Sequence, residues 1–200
     1  MTLILTAVIS YLIGSVNSAI LLVRGLFHKD IRSSGSGNAG ATNAGRSYGV
    51  GVGVLTLLCA VLRAVIACLI GRALAGDTGR ALAGLFCLIG HCWPVFFHFR
   101  GGKGMAVGAG ALFTIDWRAT LILIVFFLLV FLIGRRVSLS TVLTVIVYPA
   151  VYYLMHGAWD ITLTLTTVMA VLIVFQHRSN IARIIKGTEP KFAFKHADKK

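Results

Sequence analysis

Apolar runs long enough to cross a bilayer recur along this 200-residue chain, and no other feature limits its fold so tightly. Inside a membrane no water can satisfy a peptide group, so only helices or closed barrels survive there. About 20 apolar residues carry a helix across, and somewhat fewer suffice where flanking groups snorkel or the bilayer thins. Six runs qualify: Thr2 to Val23, Val50 to Ile70, Ala81 to Phe99, Ala119 to Ile133, Leu139 to Met155 and Ile161 to Gln176. A shorter one, Met105 to Ile115, is rich in Gly and Ala and reads as a half-buried helix completing a seventh crossing. The expected fold class is all-α, an integral membrane bundle of seven transmembrane helices, built as one domain over residues 1–200. Composition agrees: 12% of residues are charged, against about 25% in a soluble domain.

The net charge of +13 raises the question of nucleic acid. Its distribution excludes that partner, because the Lys and Arg residues fall in short loops between apolar runs instead of on one face interleaved with aromatics. With seven crossings, fifteen basic residues lie in loops 24–49, 100–104, 134–138 and 177–200, and three (Arg72, Arg80, Arg118) lie opposite. The positive-inside bias puts the first group in the cytoplasm, the N-terminus outside (periplasmic) and the C-terminus, a basic tail from about 177, in the cytoplasm. The first run is longer than a signal-peptide core and lacks a basic lead, so it is expected to be retained. Arg63 stands alone within the second run, where a guanidinium that snorkels outward or meets a carbonyl is the expected arrangement.

That orientation brings three polar stretches to one face. The first, Ser34 to Arg46 (SGSGNAGATNAGR), supplies five small hydroxyl or amide side chains, four glycines and an arginine. Glycines let backbone N–H groups approach an anion, Ser36, Asn38, Thr42 and Asn43 add donors, and Arg46 offers a bidentate fork. The second, Gly101-Gly102-Lys103-Gly104, sets a lysine at the start of a helix, where the dipole already favours negative charge. The third, His177-Arg178-Ser179-Asn180, places His177 and Asn180 three apart on one helix face with Arg178 turned away. Singly, these fit a solvated loop, a topogenic lysine and a structural histidine. Together they give cations and donors without a carboxylate, which suits anions.

Other motifs fail on context. Gly35 to Gly40 matches GxGxxG but follows a membrane span, with no βαβ unit and no acidic residue about 20 positions on. GGKG lacks the first Gly and the final Ser/Thr of a Walker loop. The four cysteines lie in apolar runs without metal-ligand spacing, so neither a metal nor another cofactor is expected. An anion transporter would place its site near the midplane and show repeats. Metal-dependent head-group chemistry would need an acidic cluster.

SGSGNAGATN with Arg46, GHCWPVFFHFRGGKG (Gly90 to Gly104), Val137-Ser138-Leu139 and His177-Arg178-Ser179-Asn180-Ile181 together resemble the acyl-phosphate:glycerol-3-phosphate acyltransferases of bacterial inner membranes, the PlsY family, over nearly the whole chain. The resemblance implies transfer of a fatty acyl group from acyl phosphate to the 1-hydroxyl of glycerol 3-phosphate, giving lysophosphatidic acid and inorganic phosphate. It implies a catalytic set of Ser36, Arg46, Lys103, His177 and Asn180, with Gly37, Asn38, Thr42, Asn43, Gly101, Gly102 and Gly104 shaping the phosphate-binding loops. Its implied partners are membrane lipids and an acyl-phosphate-synthesising enzyme. The chain departs from the family where an Asp and a Lys-Gly pair are common, having Ala60, Arg63 and Ala64. It also lacks the HX4D pair of the other large glycerolipid acyltransferase class, since no Asp stands five places after His28, His91, His98, His156 or His177.

Overall fold

The computed structural model describes residues 1–192, all of whose regular elements are helical. In chain order they are α1 (Thr2–Ser15), α2 (Ser18–Phe27), α3 (Ala41–Tyr48), α4 (Val50–Cys92), α5 (Met105–Ile115), α6 (Trp117–Gly134), α7 (Val137–His156), α8 (Ile161–Gln176) and α9 (Arg178–Ile185). Lys195, Lys199 and Lys200 of the expected basic tail lie outside the described residues.

The first run is broken where one continuous span is expected. Val16 leaves helical geometry, and Asn17 then caps α2 by accepting from the Ile20 amide at 3.2 Å while its own amide donates to the Ala39 carbonyl at 3.3 Å. A polar side chain at a helix break satisfies the orphan amides of the next helix, and here it also pins the following loop.

The second and third runs fold differently from two spans joined by a loop. Helix continues from Val50 to Cys92 except at Ala75 and Gly76, where the chain turns back on itself. Gly76 has φ 62°, a region that costs an L side chain but not glycine. Contacts either side confirm the hairpin: Gly71 meets Gly79, Cys68 meets Gly84, and Arg63 meets His91, pairs that widen symmetrically about the turn. Helix α1 crosses the returning leg at Gly14 and Gly90, so closely that a Cβ on Gly90 would overlap the Tyr11 carbonyl. Small residues allow such approach in membrane bundles, where packing substitutes for a hydrophobic drive.

Side chains that would be buried in a soluble protein face outward here. Leu58, Leu62, Ile66 and Leu69 on α4 and Leu121, Val125, Leu129 and Leu132 on α6 are all exposed, a belt that only lipid can cover. Four segments are long and apolar enough to cross a membrane: Thr2–Phe27, Val50–Phe97, Trp117–Gly134 and Val137–His156. A fifth is Ile161–Gln176 with Arg178–Ile185, bent by 58°. Length and composition therefore support four to five spans, against the seven expected. The difference lies in the two legs of α4, which count together, and in α5, whose 11 residues rise only about 16 Å.

Asp116 caps α6 and Asp160 caps α8 at one end of the bundle, where His156 also meets Asp116 at 2.7 Å. The polar loops gather elsewhere, around a single cavity.

Candidate active site

The three stretches do meet. One cavity of about 1260 Å³ is lined by Ser36, Gly37, Asn38, Thr42, Asn43 and Arg46 from the first, Gly101 to Gly104 from the second, and His177 to Asn180 from the third. Every residue expected at the site thus borders the same space, although they come from four separate parts of the fold.

The first loop is shaped by Asn43 at the buried start of α3. Its amide nitrogen donates to the carbonyls of Ile31, Ser34 and Asn38, and its Oδ1 accepts from the Ser36 amide at 2.9 Å. Gly35, at φ 56°, passes so close to this oxygen that no side chain would fit. Within the loop the amides of Ser36, Gly37 and Gly40 are already spent, on Asn43 Oδ1, Ser34 O and Asn38 O. The Asn43 side chain is the organiser of this loop. The groups left for an anion are the first-turn amides of α3 at Ala41, Thr42 and Asn43, the Ser36 and Thr42 hydroxyls and Arg46, whose guanidinium makes no hydrogen bond or ion pair among the described residues.

Arg32, read from sequence only as a topogenic charge, ties this loop to the second. It grips Asp30 through two nitrogens, at 3.0 and 2.7 Å, and donates to the carbonyls of Phe97 and Arg100. The Arg32 guanidinium holds the Asp30 carboxyl well below the usual carboxylate range. A paired arginine bridging two loops leaves no sequence signature distinguishable from a surface charge.

The glycine loop leans on the end of α4. Gly101 and Gly102 donate their amides to the carbonyls of Cys92 and His91. The His91 ring also touches Gly102, and a Cβ there would overlap both its Nε2 and the Ala39 carbonyl. On its other side His91 accepts at Nδ1 from Arg63 Nη2 at 2.9 Å, which places the ring proton on Nε2. Arg63 is buried, so it neither snorkels outward nor meets a carbonyl; its partner is a histidine 28 residues away across the hairpin. It acts on the site through His91. Arg63→Met is expected to raise the KM for the anionic substrate about tenfold by freeing His91, while thermal stability holds or rises because an uncompensated buried cation has gone. Michaelis kinetics with a melting curve check both.

Lys103 reaches across to the third stretch and donates to Asn180 Oδ1. Burial, then the neighbouring Arg183, lowers its pKa, and Glu189 partly offsets that. The chain bends at His177, which ends α8 and begins α9. Its Nδ1 lies 2.8 Å from the Ile173 carbonyl, and since a carbonyl only accepts, Nδ1 carries the proton and Nε2 keeps a free lone pair. Desolvation pushes the ring's pKa down to about 4, with Lys103 acting the same way. His177 and Asn180 are buried, whereas Arg178 is exposed and stacks 4.5 Å over Phe175, in agreement with the expected face.

A carboxylate does enter, contrary to the sequence reading. Glu189, beyond α9, is 7% exposed and accepts from Ser138 at 2.5 Å, Asn180 at 2.7 Å and Arg183 at 2.7 Å. Its backbone carbonyl accepts from Arg136, and Phe192 donates to the Arg135 carbonyl, so the segment after α9 folds back onto the α6–α7 turn. These hydrogen bonds hold the Glu189 carboxyl below its ordinary range despite desolvation. No group of three or more His, Cys, Asp or Glu side chains suited to a metal occurs among the described residues.

The family model described as glycerol-3-phosphate acyltransferase matches residues 4–187. A glycerol-3-phosphate acyltransferase of Thermoanaerobacter pseudethanolicus is 40% identical over 192 residues, covering 96% of each chain. Its counterpart in Finegoldia magna is 38% identical over 190 residues, covering 94% of this chain and 96% of the other. Among solved structures, PlsY (YgiH), an integral membrane glycerol 3-phosphate acyltransferase, superposes in its glycerol 3-phosphate form with a TM-score of 0.89 at 32% identity, over 96% of both chains. Its lysophosphatidic acid form gives 0.87 at 31%. With the family model spanning almost the whole length and the bundle matched end to end, this chain belongs to the PlsY family of integral membrane glycerol-3-phosphate acyltransferases.

Proposed function

We propose that the acyl donor is an acyl phosphate, and that the 1-hydroxyl oxygen of glycerol 3-phosphate attacks its carbonyl carbon directly. The carbon–oxygen bond to phosphate breaks, the hydroxyl proton passes to the leaving phosphate, and lysophosphatidic acid and inorganic phosphate are released. The observation that carries this reading is the pairing, in one cavity, of Arg46 and Lys103 with an apolar groove. A mixed anhydride needs no covalent intermediate, so catalysis reduces to positioning and charge neutralisation. Both substrates carry phosphate, and bringing them together uncompensated is opposed by several kcal/mol at an intermediate dielectric. The Ser36–Arg46 loop and Lys103 each take one phosphate in this scheme. Asn180 holds Lys103, and Glu189 holds Asn180.

His177 is neutral at physiological pH and offers Nε2 as an acceptor for a glycerol hydroxyl. With a pKa of about 4 it is a weak base, so it orients the hydroxyl and the phosphate takes the proton. Because its pKa is depressed, protonation becomes important only well below the ordinary histidine range. His177→Asn is therefore expected to slow turnover yet keep the wild-type acid limb of the pH–rate profile between about pH 5 and 7. Arg178 stands at the cavity rim with its guanidinium stacked over Phe175, so Arg178→Ala is expected to cost much less activity than loss of Lys103, as initial rates will show.

In this reading the chain is one acyltransferase domain crossing the bacterial inner membrane seven times. The N-terminus lies outside and the cavity mouth at the cytoplasmic face. Fifteen basic residues in the sequence segments read as cytoplasmic, against three in the opposite loops, support it, as do the two legs of α4. The test is product formation by purified protein from palmitoyl phosphate or palmitoyl-CoA. Glycerol-3-phosphate-dependent release of phosphate from the first supports the proposal, and acylation from the CoA thioester alone overturns the donor.

A further inference from the structure

The cavity extends well past the loops. Its apolar half runs along α5, α6 and α7, and two of these helices give concordant measures of its depth. On α7 the lining residues Ser138 and Tyr148 stand ten residues apart, and on α6 Phe131 and Thr120 stand eleven apart, distances of about 15 and 16 Å at the helical rise. On α5 the deepest lining residue is Leu112. Below that depth the space is filled: Tyr148 packs with Leu123, Tyr152, Leu163 and Ala119 in a buried cluster, with Leu112 against it. Tyr148 is 1% exposed and belongs to both the cavity wall and this plug. Sideways, the groove opens between Leu57 of α4 and Leu128 of α6, both exposed.

We infer that the Tyr148 ring is the floor of the acyl groove and sets the length of chain held in register with the reacting carbonyl. This rests on the acyl-transfer reading above. An extended chain advances roughly 1.2 Å per bond, so about 12 bonds fit between the Ser138 level and Tyr148. The remainder of a longer chain turns out through the Leu57–Leu128 gap into lipid. Tyr148 touches substrate at the chain's distal part and therefore governs selection among donors, not the chemistry at the carbonyl.

The measurement is competition. Purified protein receives an equimolar mixture of saturated acyl phosphates from 10 to 18 carbons with glycerol 3-phosphate, and the lysophosphatidic acids formed are resolved by mass. Tyr148→Ala deepens the groove by about one helical turn, toward Tyr152, and should move the favoured product about four carbons longer. Leu112→Phe narrows the groove at the same depth and should move it shorter, with discrimination changing about tenfold in each case. Tyr148→Phe keeps the ring and should retain the wild-type distribution. If Tyr148→Ala does not fold, Leu112→Phe and Tyr148→Phe still decide the matter. Unchanged distributions in the folded Tyr148→Ala and Leu112→Phe proteins, or a shift with Tyr148→Phe equal to that with Tyr148→Ala, would overturn the floor. Wild-type protein inert towards every acyl phosphate would instead refute the donor assignment.

Discussion

Lys103→Met is expected to lower turnover about a thousandfold while the protein still inserts, folds and melts as the wild type does. The side chain is nearly isosteric, and among the described residues Lys103 donates to Asn180, whose other end remains bonded to Glu189. What disappears is the positive charge that Asn180 aims across the cavity. Arg46→Ala should cost a similar factor by the same logic from the opposite wall, because among the described residues its guanidinium has no hydrogen bond or ion pair to lose. The two variants together should not multiply, since a second neutralising group is of little use once the first phosphate repels the other. Initial rates with melting curves separate these outcomes. Near-normal turnover in both would remove charge neutralisation from the mechanism.

Glu189→Ala is expected to do more damage to the fold and comparable damage to activity. Three donors, from Ser138, Asn180 and Arg183, converge on this one buried carboxylate. Removing it leaves a buried hydroxyl and amide unpaired, a loss of about 1 to 3 kcal/mol, and strips the half-exposed Arg183 of its counter-ion, which adds little because solvent screens it. The segment after α9 would detach from the α6–α7 turn, and Asn180 would no longer be held facing Lys103. Glu189→Gln should recover part of the stability because it preserves two acceptor contacts, although not the ion pair with Arg183. The folded carboxylate's pKa is depressed, so its contribution is present above the unfolded value and lost as pH falls through the folded one. The wild-type advantage over Glu189→Gln should therefore shrink in acid, which thermal melts across pH would register.

Much of this site is legible in sequence for a physical reason: the membrane forces polar loops to the ends of helices, and clusters of Gly, Ser, Asn and basic residues stand out against apolar runs. The convergence of Ser36, Arg46, Lys103, His177 and Asn180 on one space follows from that contrast once the loops are placed on one face. What the sequence hides is long-range pairing. Arg32 and Glu189 look like ordinary loop charges, yet one joins two loops through Phe97 and Arg100 and the other organises the third through Ser138. Arg63 appears stranded because its partner His91 lies across a hairpin centred on Gly76, which the apolar pattern reads as a polar connection. The break at Val16–Asn17 is invisible for the opposite reason. A single Asn in an apolar run does not announce that it will cap the helix following it.

The central claim, that the loops form one positively charged cavity for a phosphorylated acceptor, is tested most directly by calorimetric titration of glycerol 3-phosphate into the purified protein, with and without added salt. The account predicts saturable binding by the wild type that weakens with salt, and at least about tenfold weaker binding by Arg46→Ala or Lys103→Met at unchanged melting temperature. Wild-type affinity in both folded variants would contradict it.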